Sequence, residues 1–249
     1  MRDSVDFVEA VPARCAQMLA QSEVEVALVP VIEYQRAHDV SLVSDVCVGS
    51  KDEVRSVLLV SRKAELESIR SVALDESSRT SATLVKIIFR EFLGRDADWT
   101  TRSPDLHEML DRADGALIIG DPAMVFPRGD LTIWDMATLW RNYTGLGFVF
   151  AMWMLNDSAS DRARTVDFAA ARDEGVANRS GIVSDYQKLL GLSGESLQEY
   201  LDRNICFRLD NEMQRGLDLY FQLAHKHGLI DKVKPLKMLE SLAEASVKS

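Results

Sequence analysis

Between residues 72 and 154 short apolar runs alternate with amphipathic helical stretches, and no other feature restricts the fold as much. Strands are expected at 72–74, 99–102, 116–119 and 148–154, with helices at 80–93, 104–112 and 134–141 between them. In the first of these helices Ala82, Val85, Phe89 and Phe92 fall on one face, while Lys86, Arg90 and Glu91 face elsewhere. Strand–helix alternation of this kind implies a largely parallel sheet with helices on its faces.

The flanking regions differ in character. Residues 5–8 alternate as a short strand, Pro12 opens a helix through Leu19, and 24–29 forms a strand that stops at Pro30. A helix or turn over 32–36 leads to extended stretches at 42–48 and 54–61, separated by the polar turn Gly49-Ser50-Lys51-Asp52. After Asn156 only helices are expected, at 158–175, 183–191, 196–203 and 210–227, followed by a polar tail that frays from Glu240. The expected architecture is α/β with two lobes and a ligand cleft between them. Residues 1–60 and 155–249 form the first lobe, with the C-terminal helices, and 61–154 form the second.

Chemistry concentrates where the strand at 72–74 turns into the helix at 80. The run Leu74-Asp75-Glu76-Ser77-Ser78-Arg79-Thr80-Ser81 brings four hydroxyls and a guanidinium to a helix start. Free N–H groups and these donors make a seat for a carboxylate or phosphate. The helix dipole contributes only about 0.3–1 kcal/mol, whereas each hydrogen bond to a charged group adds roughly 1.5–3 kcal/mol. The dense donor set therefore outweighs the dipole. Ordinary helix capping is the competing use of the same hydroxyls. Two further strand ends, Val29-Pro30 with Glu33 and Tyr34, and Ile119 with Gly120-Asp121-Pro122, complete the expected pocket.

Composition narrows the partners. The 249 residues carry a net charge of −10, which opposes nucleic-acid binding but not a local positive pocket for a small anion. The longest apolar run, 148–155, is too short for a bilayer, which takes about 20 helical residues. No apolar signal core follows Met1, and Cys15, Cys47 and Cys206 form neither a metal spacing nor a disulfide framework, so a cytoplasmic location is expected. His38, His107, His225 and His227 show no ligand pattern, since 225 and 227 point apart on a helix. Trp134, Trp140, Trp153, Phe148 and Phe150 are expected in the core, the two phenylalanines having a second possible use against an aromatic ligand.

Five segments in register resemble one family. They are Ala27-Leu28-Val29-Pro30-Val31-Ile32-Glu33-Tyr34, Val54-Arg55-Ser56-Val57-Leu58-Leu59, Ala73 through Ser81, Ala116-Leu117-Ile118-Ile119-Gly120-Asp121-Pro122-Ala123, and Tyr143-Thr144-Gly145-Leu146-Gly147-Phe148-Val149-Phe150-Ala151-Met152-Trp153. Together they resemble chorismate dehydratases of the futalosine route to menaquinone, over roughly residues 5–230. The resemblance implies a type 2 periplasmic-binding-protein fold. It also implies a hydro-lyase, without metal or organic cofactor, that converts chorismate to 3-[(1-carboxyvinyl)oxy]benzoate. Two departures stand out. Gly147 replaces the family's usual proline. The family's first strand and its Tyr-Leu-Asn loop, with an asparagine in the cleft, do not occur in this sequence, so an open backbone edge is expected beside residues 24–29.

Within this resemblance Arg79 is the candidate clamp on a substrate carboxylate, with Ser78, Thr80 and Ser81 as further donors. Ser56 lies in an otherwise apolar strand and is either a small core residue or a ligand contact. Glu33 is the candidate acid near the departing hydroxyl, and Asp121 either faces the ligand or caps the next turn. A non-catalytic small-anion binding or sensor protein on the same scaffold is the alternative. The later enzyme that makes dihydroxynaphthoate shares the fold but lacks the Ser-Arg-Thr-Ser and Thr-Gly-Leu patterns.

Overall fold

The computed structural model describes residues 5–239; the tail from Glu240 lies outside them. Helix α1 (Pro12–Ala20) starts on a proline and leads to strand β1 (Val26–Pro30), the short α2 (Glu33–Arg36) and the long β2 (Val40–Ser50). Then come β3 (Val57–Ser61), β4 (Ser71–Asp75), α3 (Thr80–Ile87) with a π-helical turn at Ile88–Phe92, β5 (Asp98–Arg102), α4 (Leu106–Arg112) and β6 (Gly115–Ile119). After α5 (Asp121–Val125), β7 (Thr132–Asp135), α6 (Met136–Thr144) and β8 (Phe148–Asn156), the chain is mostly helical. That region holds α7 (Ser160–Ala163), α8 (Phe168–Ala177), α9 (Arg179–Leu190), α10 (Gly194–Glu199) and α11 (Asn211–Lys226), closed by a short β9 (Met238–Leu239).

Two mixed sheets result, ordered β1-β8-β2-β9 and β5-β4-β6-β3-β7. The largely parallel sheet expected from the alternation is realised only in part. β4 runs parallel to β5 and β6, but β3 is antiparallel to both β6 and β7. Residues 62–70 join β3 to β4 with a single 3-10 turn and no crossover helix, and a parallel connection needs a dozen or more residues. In the other sheet β8 is antiparallel to β1 and β2. The expected boundaries after residues 60 and 154 therefore fall differently from the sheets: Val57–Ser61 belongs with β4 to β7, and Phe148–Asn156 lies between β1 and β2.

Several local expectations are corrected. Residues 6–11 form no ladder, and Phe7 and Val8 are 66% and 59% exposed; a strand without a hydrogen-bonded neighbour does not persist. Among the described residues β1 pairs with β8 alone, which leaves its other edge open as expected. Trp134 lies in β7 rather than in a helix, because Asp135 caps α6 through the N–H groups of Ala137 and Thr138 and so fixes the helix start at Met136. The single helix expected over 158–175 is broken before Asp167, whose side chain caps α8 by accepting from Ala170 N.

The core joins both sheets. Trp140, Phe148 and Tyr220 meet edge to face with centroids 5.0–6.4 Å apart, and Trp140 Nε1 donates to Gly147 O at 3.2 Å. Helix α11 contributes Met213, Gly216, Leu217, Tyr220 and Phe221 from one face. A Cβ at Gly216 would overlap the Gly147 carbonyl, and one at Gly147 would press on Met213 and Ser50 O. The departure at Gly147 thus sits where α11 approaches most closely.

The chain passes between the sheets twice, after Ser50 and after Asp135, and one partly buried carboxylate holds both passages. Asp135 accepts from Val54 N and Arg55 N at 3.0 and 2.7 Å as well as capping α6. Arg55 has a left-handed φ of 62°. Removing this carboxylate leaves four N–H groups without their acceptor, those of Val54 and Ala137 on buried residues, at about 1–3 kcal/mol each where they stay unsatisfied. Asp135→Ala is therefore expected to cost about 3 kcal/mol or more in urea denaturation. A loss below about 1 kcal/mol would show that the passages are held by other contacts.

Candidate functional site

A cavity of about 580 Å³ opens where α1 faces the ends of β4 and β6. These are parallel neighbours, and their carboxyl ends are where α/β sheets receive ligands. Arg14 and Gln17 line it from α1, Asp75 and Arg79 from the end of β4 and the turn after it, and Gly120 and Asp121 from the turn after β6.

Both strand ends are fixed by backbone chemistry. Asp75 is buried, and its Oδ1 accepts from Ser77 N and Ser77 Oγ at 2.8 and 2.7 Å while Oδ2 accepts from Ile119 N at 3.3 Å. One side chain thus shapes the turn after β4 and ties it to β6. Gly120 has φ 67° and ψ −146°, a conformation open to glycine, and this turn places Asp121 at the start of α5 on the cavity wall.

The hydroxyl-rich run stands at the start of α3, and no side chain caps that helix. Arg79 precedes it and borders the cavity; its Nη1 donates to Glu33 Oε2 at 3.0 Å, while Arg36 Nη1 donates to Glu33 Oε1 at 2.8 Å. Thr80 Oγ1 accepts from Ile32 N at 3.4 Å, and Thr80 O accepts from the Tyr220 hydroxyl at 3.0 Å. Thr80 and Ser81 are buried in the first turn. Ser78 Oγ is buried with no hydrogen-bond partner.

The structure thus brings Arg79 and Asp121 to one cavity, and it places Glu33 behind Arg79 rather than on the wall. Glu33 spends both oxygens on guanidinium groups, which is the geometry of an anchor. Ser56 is buried and does not line the cavity, but its carbonyl accepts from Gly120 N of the wall at 2.8 Å. Its Oγ accepts from the Tyr200 hydroxyl at 3.0 Å and lies 3.4 Å from Val54 O. Burial pushes the Tyr200 phenol up. Arg14, Gln17 and Asp75 escaped the sequence reading. The helix opened by Pro12 gives no sign that its solvent face looks across at β4, and a carboxylate before Glu76-Ser77 reads as turn chemistry.

Comparison with known proteins adds the decisive observation. The model of the menaquinone biosynthesis family matches residues 2–226. The chain belongs to that family. It is 30% identical over 232 residues to the chorismate dehydratase of Thermus thermophilus, spanning 86% of this chain and 84% of that relative. Among solved structures, a protein of Archaeoglobus fulgidus superposes with a TM-score of 0.64 at 14% identity, covering 90% of this chain and 86% of the other. The periplasmic aliphatic sulphonate binding protein of Escherichia coli gives 0.58 at 13% identity, with coverages of 94% and 82%. These likenesses show the periplasmic-binding-protein fold. Among the described residues no helix is long and apolar enough to cross a membrane.

The placement of Ser56 has a measurable consequence. Ser56→Ala removes the acceptor of a buried phenol, which costs about 1–3 kcal/mol when left unsatisfied. A loss of that size in urea denaturation is expected. Full stability combined with a weakened ligand would instead put the hydroxyl in the cavity.

Proposed function

We propose that the larger cavity binds chorismate and that the protein removes water from it, giving 3-[(1-carboxyvinyl)oxy]benzoate for menaquinone synthesis. The observation that carries this reading is Arg79, anchored by Glu33 beside the uncapped start of α3 at the ends of β4 and β6. A guanidinium held from behind presents its remaining N–H groups as a fork to a carboxylate. Thr80 and Ser81 add the free N–H groups of the first turn. Asp121 and Gln17 stand on other parts of the wall, where polar groups suit the ring hydroxyl and the second carboxylate.

The chemistry asks little of the side chains beyond this. A ring C–H bond and the neighbouring C–O bond break, a proton and hydroxide leave, and the ring becomes aromatic. Aromatisation supplies the driving force, so the protein contributes orientation and electrostatic support for the departing oxygen. Glu33 acts through Arg79 as a positioning residue. A cytoplasmic site of action suits the unpaired thiols of Cys15, Cys47 and Cys206.

Incubation of the purified protein with chorismate in the presence of a chelator, followed by mass spectrometry, is expected to show loss of one water. Binding of chorismate with no such product would favour the non-catalytic anion-binding reading.

Arg79→Lys is expected to raise KM, since an ammonium cannot give two parallel bonds, and Arg79→Ala to raise it further. Loss of charge-assisted bonds worth roughly 1.5–3 kcal/mol corresponds to about tenfold or more in affinity. Steady-state constants of Arg79→Ala within twofold of the parent would remove this residue from the site.

A further inference from the structure

A second cavity of about 400 Å³ lies on the other side of Arg79, against the outer face of α3. Residues 79, 82, 83 and 86 recur at helical spacing, so Ala82, Thr83 and Lys86 form one stripe along its wall. Arg36 enters from the end of α2, and Gly228 and Leu229 close the space beyond α11. Three cations, Arg36, Arg79 and Lys86, therefore border one small volume on a chain whose net charge is −10.

Their anionic partners do not balance them. Glu33 is shared between the two arginines. Asp75 also lines this wall, but its oxygens accept from Ser77 and from Ile119 N. Among the described residues Lys86 has no carboxylate partner; its ammonium lies 5.7 Å from the centroid of the Trp99 ring. Burial, with Arg90 and Arg36 nearby, holds that ammonium below the usual lysine range against the opposing pull of Asp96. The neighbouring Arg90 is itself paired with Asp96. Ser78 is 8% exposed, its Oγ has no hydrogen-bond partner, and it lines this cavity. The Oγ itself is covered, so Ser78 shapes the cavity wall without presenting its hydroxyl to an occupant.

We propose that this second cavity is a binding site for a small oxyanion, a phosphate or carboxylate group, held by Arg36 and Lys86 and touching Arg79 from the side opposite the chorismate cavity. The occupant neutralises Lys86 and adds a counter-charge beside Arg79. The two cavities share Arg79, so occupancy of one alters the field at the other. The binding statement itself does not depend on the chorismate assignment.

The test is a titration of the full-length protein with inorganic phosphate at constant ionic strength, followed by amide 15N–1H shifts. A parallel titration with sodium benzoate shows whether a carboxylate serves as well as a phosphate. Saturable shifts at Thr101, Gly228 and Leu229 are expected, with affinity reduced about tenfold or more by Lys86→Met. Arg36→Gln, an exposed position, gives the same readout if Lys86→Met does not fold. The proposal is overturned by shifts that do not saturate with either anion, by shifts confined to Gly120 and Asp121, or by affinity that the folded variants leave unchanged. Because no turnover is measured, an inactive protein that binds phosphate here would sink the dehydratase reading and leave this site standing.

Discussion

The partly buried carboxylate of Asp135 is the constraint on which the two-sheet arrangement depends. It caps α6, which leads back to the first sheet, and it accepts from the backbone of residues 54 and 55, which lead to the second. Burial pushes its pKa up even though four backbone N–H groups pull it down. The folded state therefore carries this charge at a net cost, which the fixed geometry of both passages makes necessary. The segment is held from its other side as well. Arg55 reaches Ser196 Oγ at 2.7 Å, Tyr200 reaches Ser56, and Asn204 Nδ2 donates to Glu53 O at 3.0 Å. A left-handed arginine costs roughly 1–2 kcal/mol, and these contacts on both flanks offset it.

From that fixed passage the site follows. Gly120 N donates to Ser56 O at 2.8 Å, so the turn that presents Asp121 hangs from the same segment that Asp135 holds. Asp75 then ties the end of β4 to β6, which brings Arg79 and Asp121 to the wall of the larger cavity. The guanidinium itself is aimed by Glu33, a residue of the first sheet's α2. Its position is thus set by contacts from both sheets. A relative shift of the two would move the Arg79–Glu33 pair before it moved the core, because Arg79 is 38% exposed and the core aromatics are not.

Much of this was legible in the sequence, and what was not has physical reasons. The strand ends that carry chemistry and the helix at 80 stand where the apolar periodicity puts them, because local pattern and tertiary burial agree there. Strand direction was not legible. Periodicity marks an element but not its orientation, and only the short 62–70 connection hinted that β3 and β4 run oppositely. Trp134 was misread because Ile133 and Trp134 satisfy a helical apolar face as well as a strand, and the capping power of Asp135 decides between them. Residues 5–8 have strand composition, but composition cannot supply a neighbouring strand to bond to. Arg79 could be singled out as a candidate through its hydroxyl neighbours. Arg14 and Gln17 could not be, since their relevance depends on which way α1 faces.

The hydroxyl run also turned out to divide its functions in a way that spacing alone does not reveal. A helix start has N–H groups pointing one way along the axis but side chains pointing around it. Thr80 is turned inward to α2 and to Tyr220, the Ser78 hydroxyl is covered, and Arg79 borders both cavities. Five donors in five residues therefore do not converge on one ligand. Thr80 joins a structural seam, Ser77 bonds to Asp75, and the guanidinium is long enough to border both cavities. That is why the same motif reads equally well as a cap, as a clamp and as an anion seat until the neighbouring elements are in place.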